Sequence, residues 1–207
     1  MRFDGKTIIV TGGALGIGQA SVEIFAERGA NVGILDWDEQ AGKKLQAKIG
    51  GQSVFYQVNV ANYSAVENAV QEIRQRFGKI NSLVVSAGIQ RYGTAISTSD
   101  EQWEEVLDVN LKGAWNLAKA GIPFLQEQGG GSIVNVSSVQ ALATQQNVLA
   151  YTVSKHGMVG LTRSIAMDFA KENIRANCVC PGTFDTPMLK WAASLDPNPN
   201  SVYEACN

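Results

Sequence analysis

The sequence is poor in the residues that build metal sites and disulfide frameworks. Its 207 residues include three cysteines and one histidine. Cys178 and Cys180 are two residues apart, so on a strand they would share a face and could not form the usual metal-binding knuckle. We interpret them as buried thiols. His156 lacks the companion ligands of a metal site, and Cys206 has no evident partner. We therefore predict no bound metal.

Charge and long apolar runs are scarce as well. Charged residues make up 17% of the chain and the formal net charge is −2, so nucleic acid and anionic membranes are poor partners. No apolar run reaches the length of a membrane span, and residues 1–6 lack a signal-peptide core. We expect a cytoplasmic protein. The apolar fraction of 45% is typical of a globular chain, and the length suits one domain over residues 1–207.

Strand-like and helix-like segments alternate along the chain. Short β-branched apolar runs predict buried strands at 7–10, 32–35, 54–58, 83–85, 133–136 and 177–180. The first helix is predicted to follow the glycine-rich turn and to end near residue 28. Three more are predicted at 39–49, 64–77 and 100–125, the last with a bend near Pro123, and a fifth contains Tyr151. Repeated strand–helix units predict an α/β fold of the Rossmann type: a doubly wound parallel sheet with helices on both faces.

A glycine-rich turn joins the first predicted strand to the first helix. Glycine lets the backbone turn sharply and approach a ligand closely, and a helix N-terminus attracts phosphate. The spacing Gly12-x-x-x-Gly16-x-Gly18 matches the strict G-x-G-x-x-G motif only partly, so a simple glycine-rich turn is the alternative. The predicted dinucleotide contacts here are Gly12, Leu15, Gly16, Ile17 and Gly18.

Asp36 ends the second predicted strand, 18 residues beyond Gly18. A carboxylate at this position can accept hydrogen bonds from an adenosine ribose. It would also repel a 2′-phosphate, and Ala14, Leu15 and Trp37 offer no cation to offset that repulsion. The sequence therefore favours NAD over NADP, with a strand-end turn residue as the structural alternative.

Tyr151 and Lys155 are four residues apart in a predicted helix, so their side chains lie on the same face. A free tyrosine has a pKa of about 10, and a neighbouring ammonium favours its phenolate form. The pair could therefore exchange a proton with an alcohol or carbonyl oxygen. Taken alone, Tyr-x-x-x-Lys is common on ordinary helices.

Together these motifs make the chain resemble the short-chain dehydrogenase/reductase family over nearly all of its length. The glycine turn resembles the family's TGxxxGxG motif, Ser138 precedes the Tyr–Lys pair by 13 residues, and Asn110 matches a helix asparagine. The resemblance implies that Tyr151 is the general acid/base and that Lys155 lowers its pKa and holds the nicotinamide ribose. It also implies that Ser138 stabilises charge on the reacting oxygen and that Asn110 anchors a water linking Lys155 to solvent.

Further cofactor contacts follow from the same resemblance. They are Asp36, Trp37, Asn59, Val60, Ala87, Gly88, Pro181, Gly182, Thr183 and Thr186, in addition to Tyr151 and Lys155. The chain departs from the family where Ser86 replaces an asparagine and where Asn59 replaces an acidic residue near the adenine. It also stops at Asn207, so we expect it to lack the family's last strand and part of the substrate lid.

The substrate is predicted from polar residues near the reacting oxygen. Amides there suit a polyhydroxylated compound, and segments 88–93 and 138–141 are similar to sugar and polyol dehydrogenases of the family. The candidates are Gln90, Arg91, Tyr92, Gln140, Gln145, Gln146, Asn147, Met188 and Trp191. A solvated loop is the structural alternative, and a 3-oxoacyl-type carbonyl reductase or a non-catalytic NAD-binding regulator are the functional ones.

The predicted partners are a small alcohol or carbonyl compound and further copies of the chain. The helices at 100–125 and around Tyr151 carry much apolar surface, including Trp103, Trp115, Leu117, Met158, Leu161 and Phe169. In related enzymes these helices form a four-helix interface. The sequence therefore predicts a homodimer or homotetramer.

Overall fold

Six strands in the described part of the chain form one parallel sheet in the order β3-β2-β1-β4-β5-β6. This computed structural model describes residues 2–195, 198 and 199, and Cys206 lies outside them. The strands are β1 (Thr7–Thr11), β2 (Asn31–Asp36), β3 (Ser53–Gln57), β4 (Ser82–Val85), β5 (Gly131–Val136) and β6 (Ile174–Val179). The predicted α/β doubly wound fold is confirmed. The strand order reverses between β1 and β4, which places the switch-point crevice at their carboxyl ends.

Helices cover both faces of the sheet. They are α1 (Gly16–Glu27), α2 (Glu39–Ile49), α3 (Tyr63–Phe77), α4 (Asp100–Leu107), α5 (Gly113–Glu127), α6 (Leu149–Asp168) and α7 (Pro187–Ser194). Side chains on a strand alternate between faces. Accordingly, Ile9 packs in the core layer of α3, α5 and α6, whereas its neighbours Ile8 and Val10 pack in the layer of α1 and α2.

The long helix predicted at 100–125 is interrupted. Residues Asp108–Lys112 form a π-helical turn between α4 and α5, and Pro123 lies inside α5. The interruption, which was not predicted, is therefore around Asn110, and the bend near Pro123 stays a prediction. Such turns occur frequently at functional sites, and this one lets the Asn110 side chain reach the loop after β4.

Cys178 and Cys180 are less buried than predicted. Cys178 lies within the strand and Cys180 just after it, and both thiols are half-buried. The reason is that β6 is the outer strand of the described sheet, so its side chains have fewer neighbours than those of β1 or β4. None of the described helices is long and apolar enough to cross a membrane.

Candidate active site

The glycine turn after β1 is shaped by close backbone contacts. Gly12 and Gly16 have φ angles of 62° and 55°, in the left-handed region that favours glycine. A Cβ atom on Gly12 would lie 2.5 Å from the backbone nitrogen of Ala87, and one on Gly18 would lie 1.9 Å from the carbonyl oxygen of Gly12. Glycine is therefore required for the turn to pack against the end of β4 and the start of α1.

The start of α1 offers unpaired donors to this crevice. Within the described chain α1 begins without a side-chain cap, whereas Asp38, Asn62, Ser99 and Thr186 cap α2, α3, α4 and α7. The first N–H groups of a helix need a partner, and here they face a cavity of about 860 Å³ that Gly12, Gly16 and Ile17 line. The turn thus fits the pyrophosphate of a dinucleotide.

Asp36 and Asn59 lie at the opposite end of the cavity from the tyrosine. Asp36 Oδ2 accepts from Ala14 N at 2.9 Å and Oδ1 accepts from Asp38 N at 3.0 Å. These bonds hold the carboxylate at the cavity wall and leave lone pairs for a ribose hydroxyl. Asn59 Oδ1 accepts from Ala61 N at 3.0 Å, so the amide oxygen expected to serve the adenine also braces its own loop.

Tyr151, Lys155 and Ser138 form a buried group at the end of β5 and the start of α6. Their side chains are 8%, 4% and 9% exposed. Lys155 Nζ lies 5.5 Å from the centre of the Tyr151 ring and donates to Val136 O at 2.9 Å, and the Ser138 hydroxyl is near enough to the Tyr151 phenol to affect its pKa. The structure therefore brings together the three residues that the sequence placed 13 and four residues apart.

Burial dominates the ionisation of this group. It raises the pKa of Tyr151, and the neighbouring Ser138 hydroxyl opposes that rise. It also lowers the pKa of Lys155 to about 8, against the attraction of Cys178 and Cys180. The expected lowering of the Tyr151 pKa by Lys155 is therefore not found here, because the phenol is desolvated and the ammonium is directed at Val136.

Asn110 braces the loop that passes the tyrosine. Its Oδ1 accepts from Ile89 N at 2.8 Å, and its Nδ2 donates to Ile89 O at 2.9 Å and to Ser154 Oγ at 3.0 Å. Ser154 Oγ in turn donates to Tyr151 O at 2.7 Å. The side chain expected to hold a water is thus engaged in fixing the loop after β4, the π-helical turn and α6 to one another.

The structure brings most of the predicted site residues to one cavity. The predicted residues that line it are Gly12, Leu15, Gly16, Ile17, Asp36, Trp37, Asn59, Val60, Ala87, Gly88, Gln90, Arg91, Tyr151, Lys155, Thr186, Met188 and Trp191. Gly18, Asn110, Ser138, Pro181, Gly182 and Thr183 are not among the described lining residues. Gln140 and Gln145 are likewise not among the described lining residues; Gln140 Nε2 donates to Gln145 Oε1 and Gln145 N donates to Gln140 Oε1, both at 3.0 Å.

Sequence reasoning missed several residues that shape the cavity. Ser137 lines it and donates through Oγ to Lys155 O at 2.9 Å. Asn116 donates to Val60 O at 2.8 Å beneath the Asp36 end, and Glu105 forms an ion pair with Arg91. Ser137 could have been inferred from its neighbour Ser138. Asn116 and Glu105 carry no sequence signal, since their partners are distant in the chain.

The fold and this site define an oxidoreductase that uses a nicotinamide cofactor. A parallel sheet with a glycine turn at its switch point binds dinucleotides, and a buried serine–tyrosine–lysine group beside that crevice can move a proton on a reacting oxygen. The chain belongs to the short-chain dehydrogenase family, whose model matches residues 6–195.

Several known proteins are similar to this chain. An uncharacterized oxidoreductase of Thermotoga maritima is 40% identical over 205 residues, which are 98% of this chain and 81% of the relative. A 3-oxoacyl-acyl-carrier-protein reductase of the same organism is 37% identical over 92% of this chain and 78% of its own. The aldohexose dehydrogenase of Thermoplasma acidophilum matches with a TM-score of 0.87 and 37% identity, over 97% of this chain and 76% of that structure.

Proposed function

We propose that the protein is an NAD-dependent dehydrogenase that interconverts a secondary alcohol and a carbonyl group of a sugar or polyol. The observation that carries the proposal is the buried group of Tyr151, Lys155 and Ser138 beside a cavity whose far end holds the Asp36 carboxylate. The experiment that tests it is an initial-rate assay of sugars, polyols and simple secondary alcohols with NAD. The proposal would be contradicted if none of these compounds gave NADH.

The chain's own residues supply the proton chemistry. In oxidation the Tyr151 phenolate accepts the alcohol proton, and in reduction the phenol returns it. Ser138 donates a hydrogen bond to the reacting oxygen and so stabilises the negative charge that develops there. Lys155 Nζ, 5.5 Å from the centre of the Tyr151 ring, is placed to bind the nicotinamide ribose beside the phenol. The nicotinamide, when bound, takes up or delivers the hydride, and the glycine turn, Asp36 and Lys155 are the residues that would hold its dinucleotide.

The preference for NAD rests on the charges around Asp36. The residues beside it on the cavity wall are Leu15, Trp37 and Asn59, and none of these three is a cation that could pair with a 2′-phosphate. The Asp36 carboxylate would repel that group, because like charges a few ångströms apart repel even near a protein surface.

Asp36→Asn is expected to lower the ratio of NADH affinity to NADPH affinity by about 10-fold. This factor corresponds to the loss of one repulsive contact of about 1.4 kcal/mol. The amide oxygen can still accept from Ala14 N, which keeps the contact to the glycine turn, whereas the bond from Asp38 N is lost because the amide NH₂ group cannot accept. Fluorescence titration with both reduced cofactors measures the effect. Asp38→Asn, two residues away, keeps its capping oxygen for α2 and should leave the preference unchanged. Equal affinity for the two cofactors in the unmutated protein would contradict this account.

A second candidate function is reduction of a 3-oxoacyl thioester, which the 37% identity to a 3-oxoacyl-acyl-carrier-protein reductase favours. The 37% identity to an aldohexose dehydrogenase and the polar residues at the cavity, including Gln90, support the sugar or polyol. Parallel assays of acetoacetyl thioester reduction and polyol oxidation, each with both cofactors, separate the two. Faster thioester reduction with NADPH would favour the second candidate.

Self-association is proposed through the outward faces of α5 and α6. Trp115, Val153 and Met167 are exposed there. Leu117 and Met158, which the sequence assigned to this apolar surface, are instead buried in the core layer of the same subunit. The reason is that only one face of each helix points away from the sheet.

Trp115→Ala is expected to weaken the assembly about 30-fold or more, the effect of removing a central aromatic residue of an interface. Light scattering over a dilution series measures the dissociation. Ile24→Ala on α1, where the side chain is as exposed as that of Trp115 at 46%, is the matched control and should change nothing. A monomeric unmutated protein at micromolar concentration would refute the proposed assembly.

A further inference from the structure

The loop after β4 brings the guanidinium of Arg91 to the wall of the cavity that Tyr151 also lines. Ile89 of this loop packs in the same cluster as Tyr151, and Arg91 follows two residues later. The loop is also tied to the start of α6, where Gly93 N donates to Asn147 O at 2.7 Å. The loop is therefore held at both ends of this segment, and Arg91 lines the same cavity as Tyr151.

Arg91 is paired with a carboxylate from a different element. Its Nη2 donates to Glu105 Oε1 on α4 at 2.7 Å, and its Nη1 donates to Gln90 O at 2.9 Å. Both charged side chains line the cavity and are 32% and 46% exposed. A guanidinium has five N–H donors and a carboxylate has two acceptor oxygens. The pair is thus formally neutral and still has donors and acceptors to offer a ligand.

The Arg91 guanidinium also lies near a pair of stacked aromatic rings. Trp191 of α7 stacks on Tyr92 with ring centres 5.9 Å apart and an angle of 25° between the planes. The Arg91 guanidinium lies 5.9 Å from the Trp191 ring centre. Trp191 therefore limits the movement of Arg91 and adds an apolar face to the same wall. Apolar faces with a few placed polar groups are typical of small-molecule sites.

We propose that Arg91 and Glu105 determine substrate specificity. The pair hydrogen-bonds the hydroxyl groups of a neutral substrate and disfavours a substrate that carries a carboxylate where it faces Arg91 and Glu105. Glu105 has two effects. It occupies the guanidinium, which would otherwise bind a carboxylate through two parallel hydrogen bonds, and it repels an incoming anion. This inference deepens the proposed sugar or polyol reaction and rests on it for the choice of probes.

The test uses matched probes that differ only in one terminal group. D-glucose and D-glucuronate, and xylitol and xylonate, exchange a CH₂OH group for a carboxylate. Calorimetric titration of the NADH-saturated protein measures binding of each probe without requiring turnover. The unmutated protein is expected to favour the neutral member. Glu105→Gln, which keeps the side-chain shape, is expected to shift the ratio of affinities toward the acid by at least about 10-fold, the effect of one hydrogen bond to a charged group.

Two further variants make the result specific. Glu104→Gln removes the same charge from the adjacent exposed position of α4, which is not among the described lining residues, and should leave the ratio unchanged. Adding Arg91→Gln to Glu105→Gln should abolish the gain, because the liberated guanidinium is what binds the acid.

Each outcome decides the inference. Three results would overturn the inference. The first is an equal shift of the affinity ratio in Glu104→Gln and Glu105→Gln, and the second is tighter binding of the acids than of the neutral probes by the unmutated protein. The third is no binding of any probe by any variant. A shift in binding with no oxidation of any neutral probe would support the inference about Arg91 and Glu105 while refuting the proposed sugar or polyol reaction.

Discussion

Tyr151→Phe is expected to lower turnover by at least about 100-fold, the scale of losing a positioned acid/base. The substitution removes one oxygen from a side chain that is 8% exposed and leaves the ring's packing with Ile89 and Val148 nearly intact. Folding and NADH binding should therefore survive. Initial rates and NADH fluorescence titration, measured on the same preparation, separate the loss of chemistry from a loss of binding.

The matched control is Tyr63→Phe, which removes a hydroxyl that donates to Glu67 at 2.7 Å on α3. Its turnover should equal that of the unmutated protein. If Tyr151→Phe retained near-full turnover with a true substrate, then Tyr151 would not be the acid/base and the proposed mechanism would be wrong.

The pH dependence of oxidation is the second readout of this variant. Tyr151 must lose its proton before it can accept one from the alcohol, and burial raises the pKa of Tyr151. In the unmutated protein kcat/KM for oxidation should therefore increase with pH as the buried phenol of Tyr151 ionises. In Tyr151→Phe the residual activity should lose that increase.

Features with local sequence signals were predicted well. The glycine turn, Asp36 at the end of β2 and the Tyr151–Lys155 spacing follow from strand, turn and helix rules that act within a few residues. Their meeting at one cavity follows from the parallel sheet, because carboxyl ends of parallel strands share an edge. The same rule brings the loop after β4 to that edge.

Features that depend on distant contacts were not predictable in this way. The π-helical turn at Asn110 is tied to Ile89, and the cavity wall at Arg91 depends on Glu105 of another element. Gln140 and Gln145 have the right residue type for a substrate pocket, yet they hydrogen-bond each other, and residue type alone does not indicate that pairing. The raised pKa of Tyr151 also reflects burial, which sequence spacing alone does not report.

Lys155→Met is expected to abolish activity and weaken NAD binding while making the fold more stable at neutral pH. The pKa of Lys155 is lowered from 10.5 to about 8 by burial. Below pH 8 the ammonium is therefore charged in both the folded and unfolded states, at a cost to the folded state on the order of 3 kcal/mol. Losing its hydrogen bond to Val136 O offsets part of the gain, by about 1 kcal/mol.

The sign of the pH dependence tests this account. Because the folded protein releases the Lys155 proton near pH 8 and the unfolded chain near 10.5, the unmutated protein gains stability as pH rises between these values. The advantage of Lys155→Met should thus be about 4–8 °C in Tm below pH 8 and should shrink toward pH 10. Lys171→Met, at an exposed position after α6, should show no such trend. A lower Tm for Lys155→Met than for the unmutated protein at pH 7 would mean that the buried ammonium stabilises the fold. The inference that the Lys155 charge destabilises the folded protein would then be wrong.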